Sequence, residues 1–192
     1  MCNSTLGWYM TTHDEFKDAV SAYQKQDYKT ALPLFINAAQ QGHADAQFNL
    51  GEVYSNGEGA PQDYAEAESW YRLAALQGHA NAQFNLGVMY EDGQGVPQDY
   101  TEAERWYRLA ARQGNADAQF NLGVMFENGQ GVSQDYVQAH LWFNLAATAG
   151  DASAIEARDI VAGMMTPKQI EESKKMASDF VYNKLKAASV WG

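Results

Sequence analysis

The sequence predicts an all-α fold, a solenoid of stacked helix–turn–helix repeats followed by a C-terminal capping helix. The first observation is a period of 36 residues, visible in Gly42, Gly78, Gly114 and Gly150. The second is the block Ala-Gln-Phe-Asn-Leu-Gly, which occurs in register at 46–51, 82–87 and 118–123. A fixed period of about 20 to 50 residues indicates a stacked array of short supersecondary units.

Each period contains the pattern of two helices. The first is predicted over about 44–55, 80–91 and 116–127, because its packing residues recur at i, i+3, i+4 and i+7. In the first of these helices, those residues are Gln47, Leu50, Gly51 and Tyr54. The second is predicted over about 63–77, 99–113 and 135–149, each with a wide apolar stripe. Asp63 and its copies should cap the start of this helix, and Gly78 and its copies should end it.

The ends of the array depart from the repeat. The predicted organisation is a tail at 1–13, a solenoid at 14–165 and a capping helix with its tail at 166–192. The solenoid comprises a degenerate first pair at 14–43, full repeats at 44–79, 80–115 and 116–151, and a half repeat at 152–165. Thr166 and Pro167 are typical of a helix start. The stripe expected to seal the last repeat is Ile170, Ala177, Phe180, Val181, Leu185 and Ala188.

Composition excludes several classes of function. The chain has 192 residues and a formal net charge of −11, so a basic footprint for DNA or RNA is not expected. A single cysteine, Cys2, excludes an internal disulfide framework and a cysteine-cluster zinc site. We expect no membrane span, because no apolar stretch approaches the length of one. Without a visible signal segment, a cytoplasmic location is expected, or a periplasmic or secreted one if a leader was removed.

The repeat unit resembles the Sel-one-like repeat (SLR), a relative of the tetratricopeptide repeat. Its signature at 80–114 includes the block from Ala82 to Gly87, the Gly93-Gln94-Gly95 turn, Asp99-Tyr100 and Trp106-Tyr107. The resemblance covers about 27–163 strongly. It implies a right-handed superhelix with a concave groove, and a protein that acts as an adaptor for other proteins. It does not identify the partner.

Residue types that could bind phosphate or metal, or act as nucleophiles, have structural explanations here. The loop Gly57-Glu58-Gly59 and its copies lack the strand and the Lys-Ser/Thr ending of a phosphate loop, so the glycines are interpreted as turn residues. His43 and His79 lie one repeat apart, roughly 10 Å, which is too far for a shared metal ion. No nucleophile elbow is present. We therefore predict no enzymatic activity, no cofactor and no metal.

A partner-binding groove is predicted on the first helices, by transfer from the tetratricopeptide geometry. Its members are Asp45, Phe48, Asn49, Glu52, Asn81, Phe84, Asn85, Val88, Glu91, Asp92, Asp117, Phe120, Asn121, Val124 and Glu127. The phenylalanines would form an aromatic ladder, and the asparagines beside them could bond a peptide backbone. The alternative is that both types of residue pack against neighbouring helices.

The charge of this groove favours a basic partner. Six of its fifteen members are acidic and none is basic, and basic residues occur only near the start of the groove, at Lys17 and Lys25. Complementary charge mainly sets the association rate and the selectivity. The alternative is that the acidity only keeps the array soluble.

The predicted function is a non-catalytic scaffold that binds a peptide or helix with basic and apolar residues. Two alternatives remain from the sequence. One is a small-molecule binder or weak hydrolase of the β-lactam-recognising kind, although the paired cysteines of such SLR proteins are absent. The other is a structural homo-oligomer, such as a homodimer, formed through the C-terminal helix.

Overall fold

The computed structural model describes residues 15–190, which form ten helices and no strand. The predicted tail at 1–13 lies outside the described residues. The all-α fold class of helix–turn–helix repeats is confirmed. The helices are α1 (15–24), α2 (Tyr28–Gln40), α3 (Ala44–Asn56), α4 (Tyr64–Leu76), α5 (Ala80–Asp92), α6 (Tyr100–Gln113), α7 (Ala116–Asn128), α8 (Tyr136–Ala147), α9 (Ala152–Ala162) and α10 (Pro167–Val190).

The helix ends form through side-chain caps, as predicted. Asp63 Oδ1 accepts hydrogen bonds from the backbone N–H groups of Ala65 and Glu66 at 3.0 and 3.1 Å, and Asp99 and Asp135 cap their own helices in the same way. A side-chain acceptor at this position satisfies donors that have no partner within the helix. His43 and His79 cap the first helices through Nδ1, and Asn115 does so through Oδ1.

The glycines of the repeat have structural roles. Gly78 and Gly114 follow their helices with φ of 91° and 98°, the left-handed conformation predicted for a C-terminal helix stop. In the turn between α5 and α6, a Cβ atom on Gly95 would lie 2.5 Å from the backbone of Tyr64. This close approach requires a glycine at position 95, so no phosphate binding is needed to explain the glycine.

Two compact units make up the chain, Met1–Gln98 and Asp99–Gly192. In the first unit, Ala19, Phe35 and Leu50 belong to one core cluster of α1, α2 and α3. The buried Gln47 amide donates to the Ala39 carbonyl at 3.0 Å, and Gln83 repeats this bond to Ala75. Each buried glutamine therefore adds a hydrogen bond to a carbonyl at the C-terminal end of the preceding helix, which also accepts from the backbone N–H of the following glycine, Gly42 or Gly78.

The two helices of a repeat meet at a glycine. A Cβ atom on Gly51 would lie 2.5 Å from Cδ1 of Tyr71, so the tyrosine ring rests directly on the α3 backbone. In the second unit, Gly123 and Phe143 form the same contact. Tyr71 and Phe143 are almost completely buried, at 2% and 0% exposure. Close packing of this kind tolerates no added methyl group without displacing the ring.

Helix α10 covers α8 in the second unit. The Ser173 hydroxyl lies 2.8 Å from His140 Nδ1, the Phe180 ring packs edge-on against Trp142, and the Lys184 ammonium donates to the Gln113 carbonyl at 2.9 Å. Burial, together with the positive charges of Arg158 and Lys174, lowers the pKa of His140.

The predicted sealing stripe is partly correct. Ala177 is buried and Phe180 is half-buried, but Val181 is 44% exposed. The contact instead includes Ser173, which is fully buried because the His140 ring provides a polar partner. The side chains of Leu185 and Ala188 lie outside the described part of the chain. Within residues 15–190, no helix combines the length and the apolar character needed to cross a membrane.

Leu86 tests the predicted core of the repeats. Its side chain is fully buried in α5, so Leu86→Ala should lower the free energy of unfolding by about 2–5 kcal/mol. Urea denaturation followed by circular dichroism measures this change. Leu76→Ala is the matched control, because Leu76 is 71% exposed and its truncation should change stability by less than about 0.5 kcal/mol. Equal effects of the two substitutions would contradict the assigned packing.

Candidate functional site

The predicted groove residues lie on the first helices of the repeats, and all of them reach the surface. Asp45, Asn81, Asp92 and Asp117 are exposed, and the remaining members are half-buried. In the first unit they lie on α3 and α5, and in the second unit they lie on α7. We call this set of fifteen residues the first-helix face, and each unit is described by itself.

The phenylalanines of this face are partly engaged inside the protein. The Phe48 ring stacks on His79 with the ring centroids 4.5 Å apart, and it also contacts Tyr71 at 5.9 Å. In the second unit, Phe120 packs on Phe143 at 5.4 Å. Both phenylalanines remain half-buried, so each is part of the helix packing and of the accessible surface. The predicted packing against neighbouring helices is thus present for Phe48 and Phe120, and their role in binding a partner stays a prediction.

The asparagines beside the phenylalanines bond within the protein. Asn49 Nδ2 donates to the Asp45 carbonyl at 2.7 Å, within the same helix. Asn85 Nδ2 donates to Glu52 Oε1 at 2.7 Å and thereby joins α5 to α3. One N–H of each amide is thus engaged within the protein, and a peptide backbone would bond to the other N–H or to the amide oxygen.

Glu52 is the centre of a polar cluster that the sequence did not reveal. Its Oε1 accepts hydrogen bonds from the Tyr71 hydroxyl and from Asn85. Burial raises the pKa of Tyr71, and the hydrogen bond to Glu52 raises it further, so the hydroxyl keeps its proton and donates. The spacing of Tyr71 places it in the apolar stripe of α4, which predicts a core residue and gives no sign of this hydrogen bond.

A recess opens beside this cluster. Its polar lining consists of Glu52, Tyr71, Asn85, Ser55 and Gln94. Val88 and Met89 of α5 provide its apolar wall. Among residues 15–190, no three histidine, cysteine or carboxylate side chains come together in a way that could hold a metal ion. The recess therefore combines a single carboxylate with neutral hydrogen-bonding groups and aliphatic surface.

Charge is separated between the two kinds of helix. Each of α3, α5 and α7 contains two carboxylates and no Lys or Arg. Arginines lie on the second helices, where Arg72 pairs with Glu68 and Arg108 pairs with Glu104, each one turn earlier. The carboxylates of the first helices have no such arginine on their own helix, so this face is acidic.

Stacked helix–turn–helix pairs of this length define the class of tetratricopeptide-like repeat proteins. The sequence matches the Sel1 repeat at residues 21–43, 44–79, 80–115 and 116–151, and the chain belongs to the Sel1 repeat family. Proteins of this family generally are non-catalytic scaffolds for protein interactions. Among curated proteins, none matches this sequence.

Solved structures share this architecture. A protective antigen present in uropathogenic Escherichia coli strains, with an SLR fold, is 41% identical with a TM-score of 0.73, over 74% of this chain and 32% of that one. A Sel1 repeat protein from Oxalobacter formigenes is 34% identical with a TM-score of 0.72, over 76% of this chain and 60% of that one. The chain thus spans less than two thirds of either relative. Helicobacter pylori cysteine rich protein B, at 24% identity and a TM-score of 0.54, shares the fold.

His79 should make stability depend on pH. Its Nδ1 accepts from the Ala82 N–H at 3.2 Å, and burial lowers its pKa, an effect that Asp45 only partly offsets. A lowered pKa in the folded state means that the unfolded chain binds the proton more readily. Stability should therefore fall as the pH drops below about 6.5, the ordinary value for histidine.

The substitution His79→Asn isolates this effect, because Asn115 caps the equivalent helix α7 with a group that does not titrate. Urea midpoints measured above and below the ordinary histidine pKa should differ less in this variant than in the wild type. An unchanged pH dependence in H79N would show that the His79 cap does not contribute.

Proposed function

We propose that this protein is a non-catalytic scaffold whose first-helix face binds a peptide or helical segment of another protein, one that carries basic and apolar residues. The observation that carries the proposal is the composition of this face. It combines six carboxylates with half-buried phenylalanines, on helices that contain no Lys or Arg.

Basic residues in the partner follow from the charge of the face. Carboxylates on neighbouring helices attract a cationic segment, speed its association and disfavour acidic competitors. Arg72 and Arg108 reach Tyr90 of α5 and Phe126 of α7, but each is also paired with a glutamate of its own helix, which offsets its positive charge. An acidic peptide would meet like charge along the first helices.

Apolar residues in the partner follow from the aromatic rings. Phe48, Phe84 and Phe120 occupy equivalent positions one repeat apart, and each is half-buried. A ring fixed by its neighbours loses little conformational freedom on binding, which favours its use as an anchor. The stacking of Phe48 on His79 supplies such a constraint.

The proposal is tested by selecting peptides from a displayed random library on the wild-type protein. Selected peptides should be enriched in basic and apolar residues, and their affinity should fall as the salt concentration rises. Phe84→Ala combined with Phe120→Ala should weaken binding by about tenfold or more, as for truncated aromatic anchors. Fluorescence anisotropy with a labelled peptide measures the affinity.

The matched control is Leu73→Ala combined with Leu76→Ala, which removes two exposed apolar side chains from α4. This control should leave the affinity unchanged. Circular dichroism establishes that both double variants are folded. Unaltered binding by a folded F84A/F120A variant, or selection of acidic peptides, would refute the proposal.

A further inference from the structure

We propose that the recess beside Glu52 is a specificity pocket, which receives one lysine or arginine side chain of the bound segment. The inference rests on the proposed function and gives it a defined position, between α3 and α5 of the first unit. The pocket would bind one side chain of the partner, whereas the acidity of the first-helix face would attract the whole segment.

The hydrogen bonds of Glu52 prepare it for a cation. Both of its donors, the Tyr71 hydroxyl and the Asn85 amide, are neutral and approach the same oxygen, Oε1. They orient the carboxylate and do not neutralise its negative charge. A carboxylate has about four acceptor positions, so two donors leave others for a ligand. Within the described part of the chain, no lysine, arginine or histidine pairs with Glu52. A partly buried charge without a counter-ion favours a cationic ligand.

The lining of the recess suits a long side chain with a charged end. Val88 and Met89 offer aliphatic contact for the methylene groups, and Ser55 and Gln94 offer additional oxygen atoms. Lysine and arginine have this division between an apolar stem and a polar head. A divalent metal ion is a poor alternative, because it requires several oxygen ligands and Glu52 is the one carboxylate that lines the recess.

The next two repeats have no carboxylate at the position of Glu52, but they carry one at the position of Ser55, namely Glu91 and Glu127. The position of Glu52 is occupied by Val88 in the next repeat and by Val124 in the one after it. At the position of Tyr71, the next repeat keeps a hydroxyl in Tyr107, and the one after it has Phe143 without one. Among these three positions, Glu52 is the one carboxylate, and a tyrosine hydroxyl and an asparagine amide orient it, so this recess favours one register of the bound segment.

Two substitutions of Glu52 separate charge from shape. Glu52→Gln keeps an acceptor for Tyr71 and Asn85 and removes only the charge. Glu52→Val installs the residue that the following repeats use. Glu172→Gln is the matched control, since Glu172 is exposed on α10 and its replacement changes the net charge equally. Peptides selected on the wild type are then synthesised with their basic residue as lysine, arginine or the neutral isostere norleucine.

We expect Glu52→Gln to weaken binding of the lysine or arginine peptide by about ten- to hundredfold, the range for a hydrogen bond to a charged group. The norleucine peptide should bind the wild type and E52Q equally, and it should bind E52V more tightly than E52Q. E172Q should bind all peptides as the wild type does. The comparison of lysine with arginine peptides identifies which cation the recess prefers.

The outcomes distinguish this inference from the proposed function. If selected peptides bind the first-helix face but lose the same affinity with E52Q whether they carry lysine or norleucine, the pocket is refuted and the scaffold proposal stands. Selected peptides with no basic residue in common would also refute the pocket. If no peptide is selected at all, the proposed function fails, and this inference fails with it.

Discussion

The contact of an aromatic ring with a helix glycine is the constraint on which the rest of the structure depends. Tyr71 rests on Gly51, and Phe143 rests on Gly123, at a distance that leaves no room for a Cβ atom. This contact fixes how closely the two helices of a repeat approach. It also fixes where the ring ends, so the Tyr71 hydroxyl reaches Glu52 on the surface of α3. The same side chain therefore builds the core and orients the carboxylate of the candidate pocket.

Much of the fold was predictable because it is determined locally and then repeated. Asp63 caps α4 through bonds to residues two and three positions later, and Gly78 stops the chain in a left-handed conformation. Such signals need no knowledge of tertiary structure. The capping helix was less predictable, since Ser173 is buried only because His140, 33 residues away, provides a partner. A prediction based on apolar residue types includes Val181, which is exposed, and omits Ser173.

Several residues of the candidate site could be named from the sequence, and the hydrogen bonds that join them could not. The tetratricopeptide geometry placed Phe48, Glu52 and Val88 on one face of the first helices, and in the structure all three are half-buried. The bond from Asn85 to Glu52 spans 33 residues and joins two helices, so no spacing within either helix reveals it. The departure of Glu52 from the valines of the later repeats was visible in the sequence. The meaning of this difference became clear only from the structure, which places the Tyr71 hydroxyl and the Asn85 amide against Glu52.

The central claim is that the first helices, and not the second helices, bind the partner. Chemical-shift mapping by NMR with a selected basic peptide tests it most directly, because it reports contact residue by residue. Amide and methyl resonances of α3 and α5 should shift, with Met89 and Val88 among the largest, while those of Leu73 and Leu76 on α4 should not. Shifts confined to α4, or spread evenly over both kinds of helix, would contradict it.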